Sequence, residues 1–184
     1  MILIFSAPSG SGKSTLVQHL LDTRQDMELS ISATTRAPRG QEQDGREYYF
    51  ITPDRFEQLI REDAFVEWQQ VYKGTYYGTL RSEIERIEGA GHHVVFDIDV
   101  KGGINVKKMF GDRARAIFIA PPSIDVLRER LTKRGTDSPE KIEERLAKAE
   151  IEMADAPLFD TILVNDDLGE TKKALDREIK SFIG

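Results

Sequence analysis

Gly10, Gly12, Lys13 and Ser14 stand in the run Ser6-Ala7-Pro8-Ser9-Gly10-Ser11-Gly12-Lys13-Ser14-Thr15. Two glycines, an ammonium and a hydroxyl at this spacing suit one task, the holding of phosphate oxygens. Gly10 and Gly12 permit the turns that aim successive backbone N–H groups at an anion. Ser9, Ser11 and Thr15 add N–H groups to the same cradle. Lys13 supplies a point charge for the outer phosphates, and the Ser14 hydroxyl is an oxygen ligand for a divalent ion such as Mg²⁺. Asp97 and Asp99 form a second feature. They are expected to close a strand Val94–Asp99, two residues apart and therefore on one face. Carboxylates at the carboxyl end of a parallel strand sit where α/β folds bind ligands. At least one of the pair is expected beside the metal, with Asp97 assigned to it alongside Ser14; a polar strand end or a helix-capping pair is the alternative.

The loop resembles the Walker A pattern G-x-x-x-x-G-K-[ST], with Ala7 in place of the first glycine. The exchange is tolerable if Ala7 keeps a negative φ. A phosphate loop alone implies only a nucleoside triphosphate, so the acceptor must be read elsewhere. Arg36 and Arg39 lie three apart in the Pro-bent segment Ser32-Ala33-Thr34-Thr35-Arg36-Ala37-Pro38-Arg39, and Tyr48, Glu67-Trp68 and Tyr76-Tyr77-Gly78-Thr79 follow. Arginine forks with tyrosine hydroxyls make a cage for a phosphate dianion. Core packing is the competing reading for each tyrosine, and a solvated pair for the arginines.

These groups need rigid elements behind them. Ile2–Phe5, Val94–Phe96 with Ile98, Ala116–Ala120 and Thr161–Val164 are apolar runs without polar alternation, the pattern of parallel strands buried on both faces. Helical faces lie between them: Leu16, Val17, Leu20 and Leu21; Ile124, Leu127 and Leu131; Ile142, Leu146, Ala149 and Met153. Ser138-Pro139 is a good helix start, and a last helix is expected over Leu168–Ile183. Strands alternating with helices predict an α/β fold. The stretch from about Ser30 to Thr79 breaks the rhythm and holds every tyrosine and the single tryptophan, so it reads as an inserted lobe with short strands at Ser30–Ser32 and Tyr48–Ile51. The chain has 184 residues, 39% hydrophobic and 32% charged, with no cysteine and a formal charge of −6. That composition excludes disorder, a disulfide framework and a thiolate metal site. Neither a signal segment nor a membrane span is expected, which points to the cytoplasm, and the acidic balance argues against nucleic acid as a partner.

Beyond the loop, the chain carries Thr34-Thr35-Arg36-x-Pro38-Arg39, Gly45-x-x-Tyr48-x-Phe50, Glu67-Trp68, Tyr76-Tyr77-Gly78-Thr79, Asp97-Ile98-Asp99, Arg134-Gly135-Thr136 and Val164-Asn165-Asp166-Asp167. Together with the phosphate loop these motifs resemble the guanylate kinases over nearly the whole length, in order. Two departures stand out, Ala7 and a loop at Val71–Thr75 that looks one residue longer.

The resemblance implies a three-layer P-loop kinase fold in one domain. Its core would span about 1–31, 80–123 and 155–184, with a GMP-binding lobe at about 32–79 and a helical lid at about 124–154. It implies phosphoryl transfer from ATP to GMP with Mg²⁺; tolerance of dGMP is expected because no reader of the 2′-hydroxyl stands out in the sequence. Glu67 would accept from the guanine N1–H and 2-amino groups, and Ser32 and Thr79 would donate to O6. Arg36, Arg39, Tyr48 and Tyr77, with Gly78 beside them, would hold the acceptor phosphate, and Asp97 and Asp99 would help place it. Lys13, Arg39, Arg134 and Arg145 would neutralise the moving group, and Asn165 and Asp166 match residues near the ATP adenine. An acceptor phosphate is already anionic near neutral pH, its second pKa being about 6, so no histidine base is expected. His92-His93 leads into a strand, where neighbours face opposite sides, and makes no shared metal site. Two other readings stay open: an interaction module of the same family without catalysis, and a P-loop kinase with another phosphorylated acceptor such as a ribose bisphosphate. Monomer and homodimer are both compatible with the chain.

Overall fold

A computed structural model describes residues 1–72 and 74–184, without the side chains of Val71 and Tyr72. The loop at Val71–Thr75, expected to be one residue longer, includes Lys73, which lies outside the described residues. In chain order the elements are β1 (Ile2–Ser6), α1 (Lys13–Thr23), β2 (Met27–Leu29), β3 (Ala33–Thr34), β4 (Tyr49–Phe50), α2 (Pro53–Arg61), β5 (Phe65–Tyr72) and β6 (Thr75–Leu80). They continue with α3 (Arg81–Gly89), β7 (His93–Asp97), α4 (Val100–Phe110), β8 (Ala114–Ala120), α5 (Ile124–Arg134), α6 (Pro139–Ala154), β9 (Thr161–Val164) and α7 (Leu168–Ile183). The chain divides into two compact units, Met1–Gln25 with Val95–Gly184, and Asp26–Val94.

The first unit is built on a parallel sheet with neighbours β7, β1, β8 and β9 in that order. Ile2 pairs with Ala114 and Ser6 with Phe118 along one ladder, and Ile117 with Thr161 along the next. Every residue of β1 is buried, as are Val95, Phe96 and nearly all of β8. Side chains alternate between the faces of a strand, so helices must cover both faces, which makes the α/β arrangement read from the apolar runs. α1 packs on β1, α4 on β1 and β8, and α7 on β9. Thr161–Val164 departs from the expectation of a strand buried on both sides: Ile162 and Val164 are 45% and 55% exposed. β9 closes the order of the sheet, and only one of its faces is covered. A satellite core of Leu127, Leu131, Ile142, Leu146 and Ala149 joins α5 to α6. The Ser138 hydroxyl accepts from the Lys141 N–H and caps α6, with Pro139 in the first turn, as expected.

The second unit has its own sheet, in the order β4-β3-β6-β5. β3 runs parallel to β4 and antiparallel to β6, and β6 runs antiparallel to β5. The short strand expected at Ser30–Ser32 is shifted: Met27–Leu29 and Ala33–Thr34 are strands, and the three residues between them are not. α2 escaped the sequence reading because its single turn of apolar residues is brief. Its start is well encoded all the same, since Thr52 accepts from the Arg55 N–H and Pro53 opens the first turn. α2 buries Phe56 against Phe65 and Tyr76, at ring separations of 4.4 and 5.3 Å. Together with Ala33 and Leu59 this forms the core beneath the sheet. Stacked aromatic pairs of this kind stabilise by about 0.5–1.5 kcal/mol beyond their buried area.

Candidate functional site

In the first unit β1 delivers the chain into the glycine loop at its carboxyl end, and α1 begins at Lys13. Gly10 and Gly12 take φ of +96° and +90°, the left-handed region that turns the backbone around an anion. Ala7 does not: among the described residues the single non-glycine with positive φ is Asp63. The exchange at position 7 is thus free of backbone strain. The Lys13 ammonium pairs with the Asp97 carboxylate and donates to the Ile98 carbonyl at 3.0 Å. Asp97 therefore holds the lysine at the end of β7, with both side chains partly open to solvent. Ser14, in the first turn of α1, is exposed.

Asp99 departs from its expected place. β7 ends at Asp97, and the Asp99 carboxylate caps α4 by accepting from the Gly102 N–H at 2.8 Å. The two carboxylates thus do not share a strand face, and the capping reading holds for Asp99. The Ser6 hydroxyl donates to the Asp99 carbonyl, and a Cβ at Gly103 would lie 2.4 Å from that hydroxyl, so α4 can approach β1 only with glycine there.

Asn165 follows β9 and is buried. Its amide donates to the Ser11 carbonyl at 2.8 Å, and it packs so closely on Gly12 that a Cβ there would fall 2.3 Å from Nδ2. Asn165 thus braces the underside of the phosphate loop. Arg130 donates to the Asn165 carbonyl at 2.8 Å and to that of Asp166 at 3.4 Å, while the Asp166 side chain is exposed. Arg145, from α6, donates to the Ser9 hydroxyl at 2.6 Å and to Asp137 at 3.1 Å. Arg134 ends α5 in an exposed position, followed by Gly135 at φ +68°. Glu152 of α6 was not singled out from the sequence. Burial pushes its carboxyl up, Lys148 opposes the shift, and the charges of Asp99 and Lys13 reach it.

The Asn165 brace makes Gly12→Ala informative. An alanine must hold a left-handed φ and displace a buried amide, costing roughly 1–2 kcal/mol for the backbone and about 1–3 for the lost hydrogen bond. The melting temperature should fall by roughly 5–15 °C on the scaling for a chain of this size. A thermal melt within about 2 °C of wild type would show that the brace bears no load.

In the second unit the antiparallel register sets Glu67 opposite Thr79 and Trp68 opposite Gly78. A Cβ at Gly78 would lie 2.8 Å from the Glu67 carbonyl, so only glycine lets β5 and β6 approach here. The Thr79 hydroxyl, fully buried, donates to the Glu67 carboxylate at 3.0 Å, and the Ser32 hydroxyl lies 3.5 Å from that of Thr79. Ser32, just before β3, thus lines up with Thr79 on β6 and Glu67 on β5. Because Thr79 gives its one proton to Glu67, Ser32 is the hydroxyl left to donate outward.

Arg36 is more committed than its sequence position suggested. Its guanidinium forks onto Glu42 at 2.6 and 2.8 Å, donates to the Tyr77 hydroxyl at 3.1 Å, and lies 4.9 Å from the centre of the Tyr48 ring. Tyr48 and Tyr77 meet edge to face. Burial, reinforced by Tyr77, pushes the Tyr48 phenol up and keeps it a donor. Glu42 also accepts from the Arg39 N–H at 2.8 Å, while the Arg39 side chain is exposed. Glu42 went unnoticed in the sequence, since a glutamate six residues beyond an arginine in a loop carries no periodic signal.

The Arg36 fork, helped by the Arg39 N–H, pulls the Glu42 carboxyl from 4.5 to about 2. A carboxyl depressed in the folded chain stabilises it above its ordinary pKa, and that contribution is lost as the pH falls through the folded value. Between pH 4.5 and 2, wild type should lose stability more steeply than Glu42→Gln. Parallel denaturant titrations of the two across that window would exclude the linkage.

Comparison with known proteins adds a separate line. The family model described as Guanylate kinase matches residues 1–182. The guanylate kinase of Bacteroides fragilis is 52% identical over 183 residues, covering 100% of this chain and 90% of the relative. That of Porphyromonas gingivalis is 54% identical, covering 99% and 97%. The crystal structure of guanylate kinase from Anaplasma phagocytophilum superposes with a TM-score of 0.74 at 28% identity, covering 98% of this chain and 85% of that one. The matches take in the strands of the second unit and the segment after β9 as well as the glycine loop, and on that full-length likeness the chain belongs to the guanylate kinase family.

Proposed function

We propose that this chain transfers the γ-phosphoryl group of ATP to GMP, giving ADP and GDP. The observation that carries the reading is the line Ser32–Thr79–Glu67. A half-buried carboxylate, supported by a buried hydroxyl, suits the N1–H and 2-amino donors of guanine, while the Ser32 hydroxyl suits its O6 acceptor. Adenine offers the reverse at N1 and no amine at C2. A polar site left unpaired by the wrong base can discriminate by about 10⁴ or more. dGMP should serve as well, since no reader of the 2′-hydroxyl is assigned.

Arg36, Arg39, Tyr48 and Tyr77 would hold the acceptor phosphate, with Gly78, next to Tyr77, letting β6 close on β5. Arg36 comes to it already aimed by Glu42 and Tyr77. The loop residues 9–15 would hold the donor phosphates. Ser14 and Asp97 are hard oxygen donors that fit Mg²⁺, an ion that keeps few protein ligands and binds substrate phosphates and water. When bound, the ion neutralises and orients the β- and γ-phosphate oxygens. The acceptor oxygen, already anionic, attacks in line, and Lys13, Arg39, Arg134 and Arg145 offset the charge on the group in transit. Arg145 stands ready at Ser9, and residues 124–154 would act as a lid. Asp99 supports the site through its cap on α4, and Asn165 through the loop it braces, with Asp166 beside it facing the adenine end.

The test is ADP release from ATP and Mg²⁺ with GMP, dGMP, AMP, UMP or no acceptor. Turnover with GMP and dGMP alone is expected. GMP binding without turnover would instead make the chain a non-catalytic binding module. Among the described residues no helix is long and apolar enough to cross a membrane.

A further inference from the structure

Glu83, in the first turn of α3, is 3% exposed, and the reaction proposed above gives it no task. A buried carboxylate is costly unless every lone pair is met. Here all are. One oxygen accepts from the Ile31 N–H at 3.1 Å and from the Arg86 guanidinium at 2.8 Å. The other accepts from the Tyr49 hydroxyl at 2.9 Å and from Arg86 Nε at 3.1 Å. Arg86 is anchored in turn by Glu28, 2.6 Å away, and Glu28 meets His92 at 3.0 Å. Burial works against the Glu83 charge, yet Arg86, the Ile31 amide and Tyr49 hold its carboxyl below the ordinary 4.5.

The two groups that Glu83 grips besides Arg86 flank one residue. Ile31 precedes Ser32 in the chain. Tyr49, held through its hydroxyl, uses its own N–H to bond the Ser32 carbonyl at 2.9 Å. Residues 30–32 belong to no strand, and the ladder bond that reaches Ser32, at its carbonyl, comes from the same Tyr49 whose hydroxyl Glu83 holds. We propose that Glu83 is a positioning residue for Ser32: by holding the Ile31 amide and the Tyr49 hydroxyl together, it sets the Ser32 hydroxyl beside Thr79 and so determines how the acceptor base is read. This rests on the assignment of Ser32 as a guanine donor under the proposed function. A neutral amide of the same shape cannot replace Glu83, because its NH₂ must face N–H or O–H donors on at least one side.

The experiment compares wild type, Glu83→Gln, Tyr49→Phe, Ser32→Ala and the double variant Glu83→Gln/Ser32→Ala, each by steady-state kinetics in GMP and in ATP with a thermal melt. For Glu83→Gln we expect KM for GMP to rise about 10-fold and KM for ATP to stay within about 2-fold, the scale of one misplaced hydrogen bond. Tyr49→Phe, which leaves the buried charge pair intact, should raise KM for GMP about 3-fold. Once Ser32 is alanine, adding Glu83→Gln should change KM for GMP little further. A purely structural role would lower the melting temperature and leave the GMP-to-ATP contrast flat. If Glu83→Gln fails to fold, Tyr49→Phe decides alone. Unchanged KM for GMP in Tyr49→Phe, or effects of Glu83→Gln and Ser32→Ala that multiply independently, overturn the inference while wild-type turnover stands. Absence of GMP turnover in wild type overturns the proposed function and this inference with it.

Discussion

Lys13→Met should lower kcat for GMP phosphorylation by about 10²–10³-fold, the scale seen when one pre-aimed charge stabiliser is removed from a reacting group. The loss should fall on kcat more than on KM for ATP. The glycine turns and loop N–H groups that bind the donor persist in the variant, whereas the ammonium's charge matters most as charge shifts onto the bridging oxygen. The structure adds a second consequence. Lys13 is the ion-pair partner of Asp97, so methionine also removes the cation that holds the carboxylate proposed for Mg²⁺, and the loss of that positioning adds to the effect. Lys13→Met/Asp97→Asn should therefore lose less than the product of its single variants. Steady-state kinetics with GMP held saturating reads all of this. A kcat for Lys13→Met within about 3-fold of wild type would remove the loop from the chemistry.

Glu67→Gln should raise KM for GMP by about 10²-fold or more, leaving KM for ATP within about 2-fold. Hydrogen bonds to a charged group contribute roughly 1.5–3 kcal/mol each, and guanine offers two donors to this carboxylate. The glutamine keeps one acceptor for the two base donors, and its NH₂ either faces one of those donors or turns to the Thr79 hydroxyl, now 3.0 Å from Glu67, which must then rotate to accept. Preference for GMP over AMP should shrink in the same variant, since glutamine can offer adenine N1 a donor. Isothermal titration with each nucleotide separates this from a general loss of fold. Equal weakening of GMP and ATP binding would sink the base-reading role.

The contrast between local and distant information shows in particular residues. Ile2–Phe5, Val94–Phe96 and Ala116–Ala120 were legible as buried parallel strands because continuous apolarity has few other solutions. Gly10, Gly12, Lys13 and Ser14 were legible because a phosphate loop is a contiguous stretch whose chemistry depends on residue type and order. The cap at Ser138-Pro139 and the C-terminal helix were legible for the same reason, since capping and 3.6-residue periodicity act within a few residues. Asp97 and Asp99 mark the boundary. Their types and their nearness to a strand end were plain, yet whether the strand ran two residues further depended on the start of α4, and Asp99 became its cap.

Other features depended on partners far away along the chain. Glu42 gave no signal in the sequence, because only the turn brings it onto Arg36. Glu83 drew no reading from the sequence, and the fold buries it under Ile31 and Tyr49, 52 and 34 residues distant. Asn165 sat within a motif, but its amide reaches the Ser11 carbonyl across 154 residues of sequence. Thr161–Val164 was apolar enough for a core strand, and only the strand order exposes half of it. Residue type and local spacing dictate propensity, turns and the chemistry of a contiguous loop, because those interactions close within a few bonds. Which carboxylate is paired, which hydroxyl keeps a proton to give, and which strand is left at an edge depend on contacts that exist only once distant segments have packed.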